Sequence, residues 1–148
     1  MKRLLFIPFL CLMLSASRVT AQTDKTLTIQ KANGEEISVQ IEIADSPEKQ
    51  RTGLMFRKYM PENAGMLFLF DRSERIGMWM KNTYLPLDML FIDENGLIQD
   101  IAENTEPLSL KTIESKTDVS AVLETNAGFV KKNKINTGDK VIHSFFKK

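Results

Sequence analysis

Thr26-Leu-Thr-Ile-Gln30 and Glu36-Ile-Ser-Val-Gln-Ile-Glu-Ile43 alternate apolar with polar residues on either side of Asn33-Gly34. A period of two belongs to a half-buried strand, and Asn-Gly accepts the positive φ angles of a tight reversal, so the pair reads as a β-hairpin. Met66-Leu-Phe-Leu-Phe70 is apolar at every position, as expected of a strand covered on both faces. Residues 76–81 and 86–93 read as the next two strands, Asn95-Gly96 turns the chain into 97–102, and residues 119–125 and 139–146 supply two more. Ser46-Pro47-Glu48 carries the marks of a helix start: a hydroxyl N-cap, proline at the first helical position and an acid favoured by the helix dipole. Gly53 ends that helix, and a second short one spans 127–132 behind an Asn126 cap. Residues 111–117 read as loop, and residues 22–25 as a flexible start. No long helical period occurs. Together these signals predict a mainly β, α+β architecture: a compact β-barrel-like single domain of about eight short strands with two or three short helices.

The first 21 residues stand apart from this pattern. Met1-Lys2-Arg3 is cationic, residues 4–16 are almost wholly apolar, and Val19-Thr20-Ala21 offers small residues where a signal peptidase reads, so residues 1–21 are expected to be a signal peptide. The apolar run falls short of the roughly 20 residues a membrane-spanning helix needs, and no later segment approaches that length. Export to the periplasm or the extracellular space follows as an expectation. Residues before Cys11 (Pro8-Phe9-Leu10) do not match a lipid-attachment box, and cleavage would remove this only cysteine, leaving no disulfide and no thiol. Residues 22–148 suffice for one domain. The leader holds three of the 20 basic residues and none of the 19 acidic ones, which leaves 17 against 19, a balance of −2. Acids and bases are interspersed, which argues against a nucleic-acid partner.

Five blocks in order carry a family resemblance: Ala44-Asp45-Ser-Pro-Glu-Lys-Gln-Arg51-Thr-Gly53-Leu-Met55-Phe-Arg57, then Gly65-Met66-Leu-Phe68, then Met78-Trp-Met-Lys-Asn-Thr83, then Pro86-Leu-Asp88 with Phe91-Ile92, then Glu124-Thr-Asn-Ala-Gly128. Over residues 37–141 the chain resembles the domain-of-unknown-function 192 family. The resemblance implies a small, β-rich, often exported domain. It implies no catalytic roles.

Ile76-Gly-Met-Trp-Met-Lys-Asn-Thr-Tyr-Leu-Pro-Leu-Asp88 holds the only tryptophan beside Lys81, Asn82 and Asp88. If residues 82–85 form a hairpin loop, Lys81 pairs with Pro86 and Trp79 with Asp88, and Trp79, Lys81 and Asp88 share one face. An aromatic plate, an ammonium, an amide and a carboxylate together suit a polar small molecule or glycan fragment. The structural alternative has Trp79 plugging a barrel end while Lys81 and Asp88 form an ion pair. Asp45, Arg51 and Arg57 form a second expected cluster around the first helix, where a guanidinium could clamp a carboxylate or phosphate; alternatively Asp45 or Glu48 satisfies Arg51. Asn126 and Gly128 read as a helix start.

Six methionines (Met55, Met60, Met66, Met78, Met80, Met89) raise the question of Cu(I), but methionine is a common core filler and the sole histidine, His143, is distant in sequence, so no metal or other cofactor is expected. The leading expectation is an exported envelope or periplasmic small-ligand or glycan-binding module. Two alternatives remain: an envelope glycan hydrolase using a carboxylate pair, Asp88 with Asp45 or Glu103, and a protein-interaction module docking through the Trp79 face. The oligomeric state is not legible.

Overall fold

A computed structural model describes residues 25–146; the leader, Cys11 and residues 22–24 lie outside the described residues. The described chain is mostly β, with nine strands and two short helices: β1 Thr26–Gln30, β2 Glu36–Ala44, α1 Pro47–Thr52, β3 Ala64–Glu74, β4 Gly77–Met78, β5 Leu87–Ile92, β6 Ile98–Ala102, β7 Ile113–Glu114, β8 Val119–Asn126, α2 Phe129–Asn133 and β9 Lys140–Ile142. Seven strands form one sheet in the order β6-β5-β8-β3-β2-β1-β9, and β4 pairs only with β7.

Local chemistry explains most of these elements. Gly34 turns the β1–β2 hairpin at φ +84°, and the strands pair Gln30 with Glu36 through Thr26 with Gln40. Ser46 caps α1 by accepting the Lys49 N–H at 3.4 Å, Pro47 opens it, and the Gly53 N–H closes it on the Lys49 carbonyl at 2.7 Å. α1 then carries the chain over to β3, which lies parallel to β2.

The sheet curls into a half-barrel whose edges meet. The Ile98 N–H donates to the Asp139 carbonyl at 3.0 Å, Gly138 N–H to Ile98 at 2.8 Å, and Val141 N–H to Gly96 at 2.7 Å. These bonds join β9 to the start of β6 and cover both exposed edges. Gly96 is required at this seam: its φ is +82°, and a Cβ there would lie 2.4 Å from the Val141 carbonyl oxygen.

Side chains alternate between two cores. Leu27, Ile29, Val39, Ile41, Leu67, Leu90, Ile92, Leu123 and Val141 fill the inside of the curl, with Phe129 and Val130 of α2 inserted among them. Met66, Phe68, Met80, Leu87, Met89, Phe91 and Val122 form the outer layer under Leu54 and Ile76. β3, β5 and β8 are therefore covered on both faces, which is why 66–70 reads as a continuous apolar run.

Four expectations need correction. Residues 76–81 form a strand only at Gly77–Met78, paired with Ile113–Glu114 inside the segment expected to be a loop. The 76–81/86–93 hairpin does not exist, because β5 is already bonded to β6 on one side and β8 on the other and has no edge left. The α2 N-terminus is not capped by Asn126, whose amide donates instead to the Met60 and Pro61 carbonyls at 3.0 Å each. Its N-cap is Gly128, and the carboxylate that satisfies the Val130 N–H comes from Asp88. β9 is also shorter than expected, since the chain turns back after Ile142 with the Phe146 N–H on the His143 carbonyl.

Candidate functional site

β4 and the segment after it leave the sheet, and this departure makes a cavity. Met80 N–H bonds to the Ser109 carbonyl at 3.1 Å, Thr83 N–H returns to Met80 at 3.0 Å, and Asn82 takes a left-handed φ of +54°. Phe56 N–H donates to the Asn82 carbonyl at 2.8 Å, which ties this turn to the chain leaving α1. Between the two segments lies a cavity of about 230 Å³, lined among others by Arg51, Met55, Met78, Trp79, Lys81 and Glu124.

Trp79 is 45% exposed, so it does not plug the barrel. The Lys81 ammonium sits 5.1 Å from its ring centroid, a cation–π contact. Lys81 makes no ion pair among the described residues, and neither does Arg51. Both alternative pairings fail: Asp45 binds Lys49 at 2.7 Å, and that hydrogen bond holds the Asp45 carboxyl below its usual range.

Asp88 is elsewhere. Its side chain is fully buried, and its two oxygens accept the Asn104 N–H at 2.8 Å and the Val130 N–H at 3.0 Å. It stands in register with Thr125, beside the inner face that α2 closes, and not opposite Trp79. Arg57 is engaged by Glu42 through both carboxylate oxygens, one of them at 2.7 Å, on the rim of a separate depression with Tyr59. That contact raises the Arg57 pKa and lowers that of Glu42. Asn82 adjoins the cavity, its amide 3.9 Å from the Met55 sulfur, and holds the turn. Of the seven expected site residues, then, Arg51, Trp79 and Lys81 meet at one cavity, Asn82 supports it, and Asp45, Arg57 and Asp88 lie apart.

The structure adds Glu124. It points from β8 into the outer layer, in register with Met66 of β3 and Met89 of β5, is 4% exposed, and lines the cavity floor. Its side chain makes no hydrogen bond among the described residues. Burial alone pushes its carboxyl up to about 8, with no cation near enough to offset it. A sequence signal existed: Val119-Ser-Ala-Val-Leu-Glu-Thr-Asn126 is a strand apolar on both faces with one carboxylate in it. Chemically the site offers two unpaired cations and an aromatic plate at the mouth, and one neutral carboxylic acid, a donor as well as an acceptor, at the floor. Met55 and Met78 line the cavity, whereas Met80 and Met89 are wholly buried. Among the described residues no three His, Cys, Asp or Glu side chains converge as a metal site, and no helix is long and apolar enough to cross a membrane.

Comparison with known proteins gives structural relatives and a family. A protein from Sinorhizobium meliloti 1021 described as a candidate transcription regulator has a solved structure that matches with a TM-score of 0.78 and 43% identity, over 79% of this chain and 91% of that one. A protein of unknown function from Novosphingobium aromaticivorans DSM 12444 matches with a TM-score of 0.76 and 32% identity, over 79% of this chain and 83% of that one. No curated protein matches. The profile of the domain-of-unknown-function 192 family, described as an uncharacterized ACR, matches residues 28–143. The chain belongs to the domain-of-unknown-function 192 family.

Proposed function

We propose that this domain is an exported envelope or periplasmic module that binds a small, negatively charged polar molecule, an acidic glycan fragment being one example. The observation that carries the reading is that two cations without an acidic partner among the described residues, Arg51 and Lys81, line one cavity together with Trp79. Unpaired cations beside a half-exposed aromatic plate attract an anion and let a flat ring stack. A volume of about 230 Å³ suits a single sugar ring or a small acid.

Trp79 is the only tryptophan, so its emission reports directly on the mouth of the cavity. Titration with glucuronate is expected to perturb that emission. Arg51→Ala and Lys81→Ala should each weaken binding about tenfold while leaving the thermal midpoint unchanged, because both side chains are exposed. An affinity that survives removal of both cations would exclude this cavity as the site. Export is tested separately: the N-terminus of the protein recovered from cells, read by mass spectrometry, should be Gln22, and a protein that accumulates with Met1 still in place would remove the export reading.

A protein-docking role has one specific observation behind it. Exposed Phe56 and Tyr84 pack edge to face with centroids 6.3 Å apart near the Trp79 cavity, and Leu108 and Leu110 are also exposed. The hydrolase alternative has less support. Glycoside hydrolysis uses two carboxyl groups across one bond, and among the described residues Glu124 is the only acid lining the cavity, with Asp88 buried against α2 and Asp45 paired with Lys49. For the description of the Sinorhizobium relative, the two helices among the described residues, of six and five residues, give no support through a groove-reading helix.

A further inference from the structure

We propose that the cavity takes a small carboxylate bearing a second, uncharged oxygen, a hydroxy- or oxo-acid, with its charge at Arg51 and Lys81 and its neutral oxygen on the Glu124 hydroxyl. The inference rests on the anion-binding reading and specifies its ligand. Glu124 is a polar side chain more than nine-tenths buried, without a hydrogen-bond partner among the described residues, and it faces the cavity. Its neighbours in register, Met66 and Met89, offer no donor to an ionised carboxylate. Among the described residues the other charged groups lining the same cavity are Arg51 at the end of α1 and Lys81 after β4, and neither lowers the proton affinity of Glu124.

A carboxyl in this position keeps its proton and offers an O–H that the protein leaves unmatched. A ligand seated there must supply a lone pair. A second negative charge at the floor would sit between two methionines and be poorly solvated, so the deep oxygen is uncharged and the charge remains at the mouth. A plain fatty acid would leave the O–H unmatched, which is the discrimination a buried polar group enforces.

The test uses Trp79 emission at pH 6 with propanoate, lactate, pyruvate, 3-hydroxybutanoate, glucuronate and inorganic phosphate as probes. At least one oxygenated acid is expected to bind ten times or more tighter than propanoate. Glu124→Gln, which keeps a donor, should retain that preference within a few-fold, and Glu124→Met should reduce it to the level of propanoate. If Glu124→Met does not fold, the pH profile of the other two proteins decides: binding to the wild type should fall as pH rises through 8, while binding to Glu124→Gln stays level. Oxygenated acids no tighter than propanoate, a preference that survives Glu124→Met, or matching pH profiles would each overturn the proposal and leave the anion reading in place. Failure of every probe, propanoate and phosphate included, would overturn both.

Discussion

Glu124→Gln is expected to make the protein more stable at pH 8 and to flatten its stability between pH 4.5 and 8. In the wild type the buried carboxyl titrates near 8, against 4.5 for the ordinary group. Below pH 4.5 both folded and unfolded chains hold this proton, and it contributes nothing to the difference. Between 4.5 and 8 the unfolded chain has released the proton and the folded chain has not, so stability falls as pH rises. At about 1.4 kcal/mol for each tenfold change in proton affinity, the loss reaches on the order of 4 kcal/mol by pH 8. Glutamine has nearly the same shape and nothing to titrate. Urea midpoints of both proteins at pH 5, 6.5 and 8 measure the effect, and a wild type that loses no more stability than the variant over that range would contradict the burial of Glu124.

Asp88→Ala should be strongly destabilising. The carboxylate joins three parts of the fold: it stands on β5, accepts the Asn104 N–H just beyond β6, and accepts the Val130 N–H at the first turn of α2. α2 has only five residues and no side-chain cap of its own, so it depends on this partner from across the sheet. Truncation leaves two N–H groups without their acceptor and opens a gap beside Phe129 and Val130, which close the inner core. Hydrogen bonds to a charged acceptor are worth roughly 1.5–3 kcal/mol each, which puts the expected loss at about 3–5 kcal/mol. Asp88→Asn keeps one acceptor oxygen and should cost roughly half as much. The pair also separates structure from site: if Asp88→Ala unfolds at the wild-type midpoint but loses ligand, then Asp88 acts in binding and not in holding α2.

The residues that misled the sequence reading share one property. Trp79, Lys81 and Asp88 are close in the chain, and a constant index sum places them on one face if 76–81 and 86–93 pair. That condition depends on β5 having a free edge, and both of its edges are taken by strands from later in the sequence, β6 and β8. Lys81 therefore meets Trp79 instead of Asp88, and Arg51 arrives from α1, about thirty residues back, to complete the mouth. Glu124 was visible as a carboxylate in an apolar strand, yet nothing local tells whether such a group finds a partner. Here it does not, because its neighbours in register are two methionines.

Short-range features were legible in the chain: the Asn33-Gly34 reversal, the Ser46-Pro47 helix start with its Gly53 stop, and the two-sided burial of residues 66–68. Each of these is set by φ preferences, caps or periodicity within a few residues. The five motif blocks also determined the family. Tertiary structure alone decided which edges pair, that the sheet curls until β9 meets β6, that Asp88 holds α2, and that Arg51, Trp79, Lys81 and Glu124 line one cavity. These outcomes rest on contacts between segments tens of residues apart, where register and edge availability are settled by the whole sheet together.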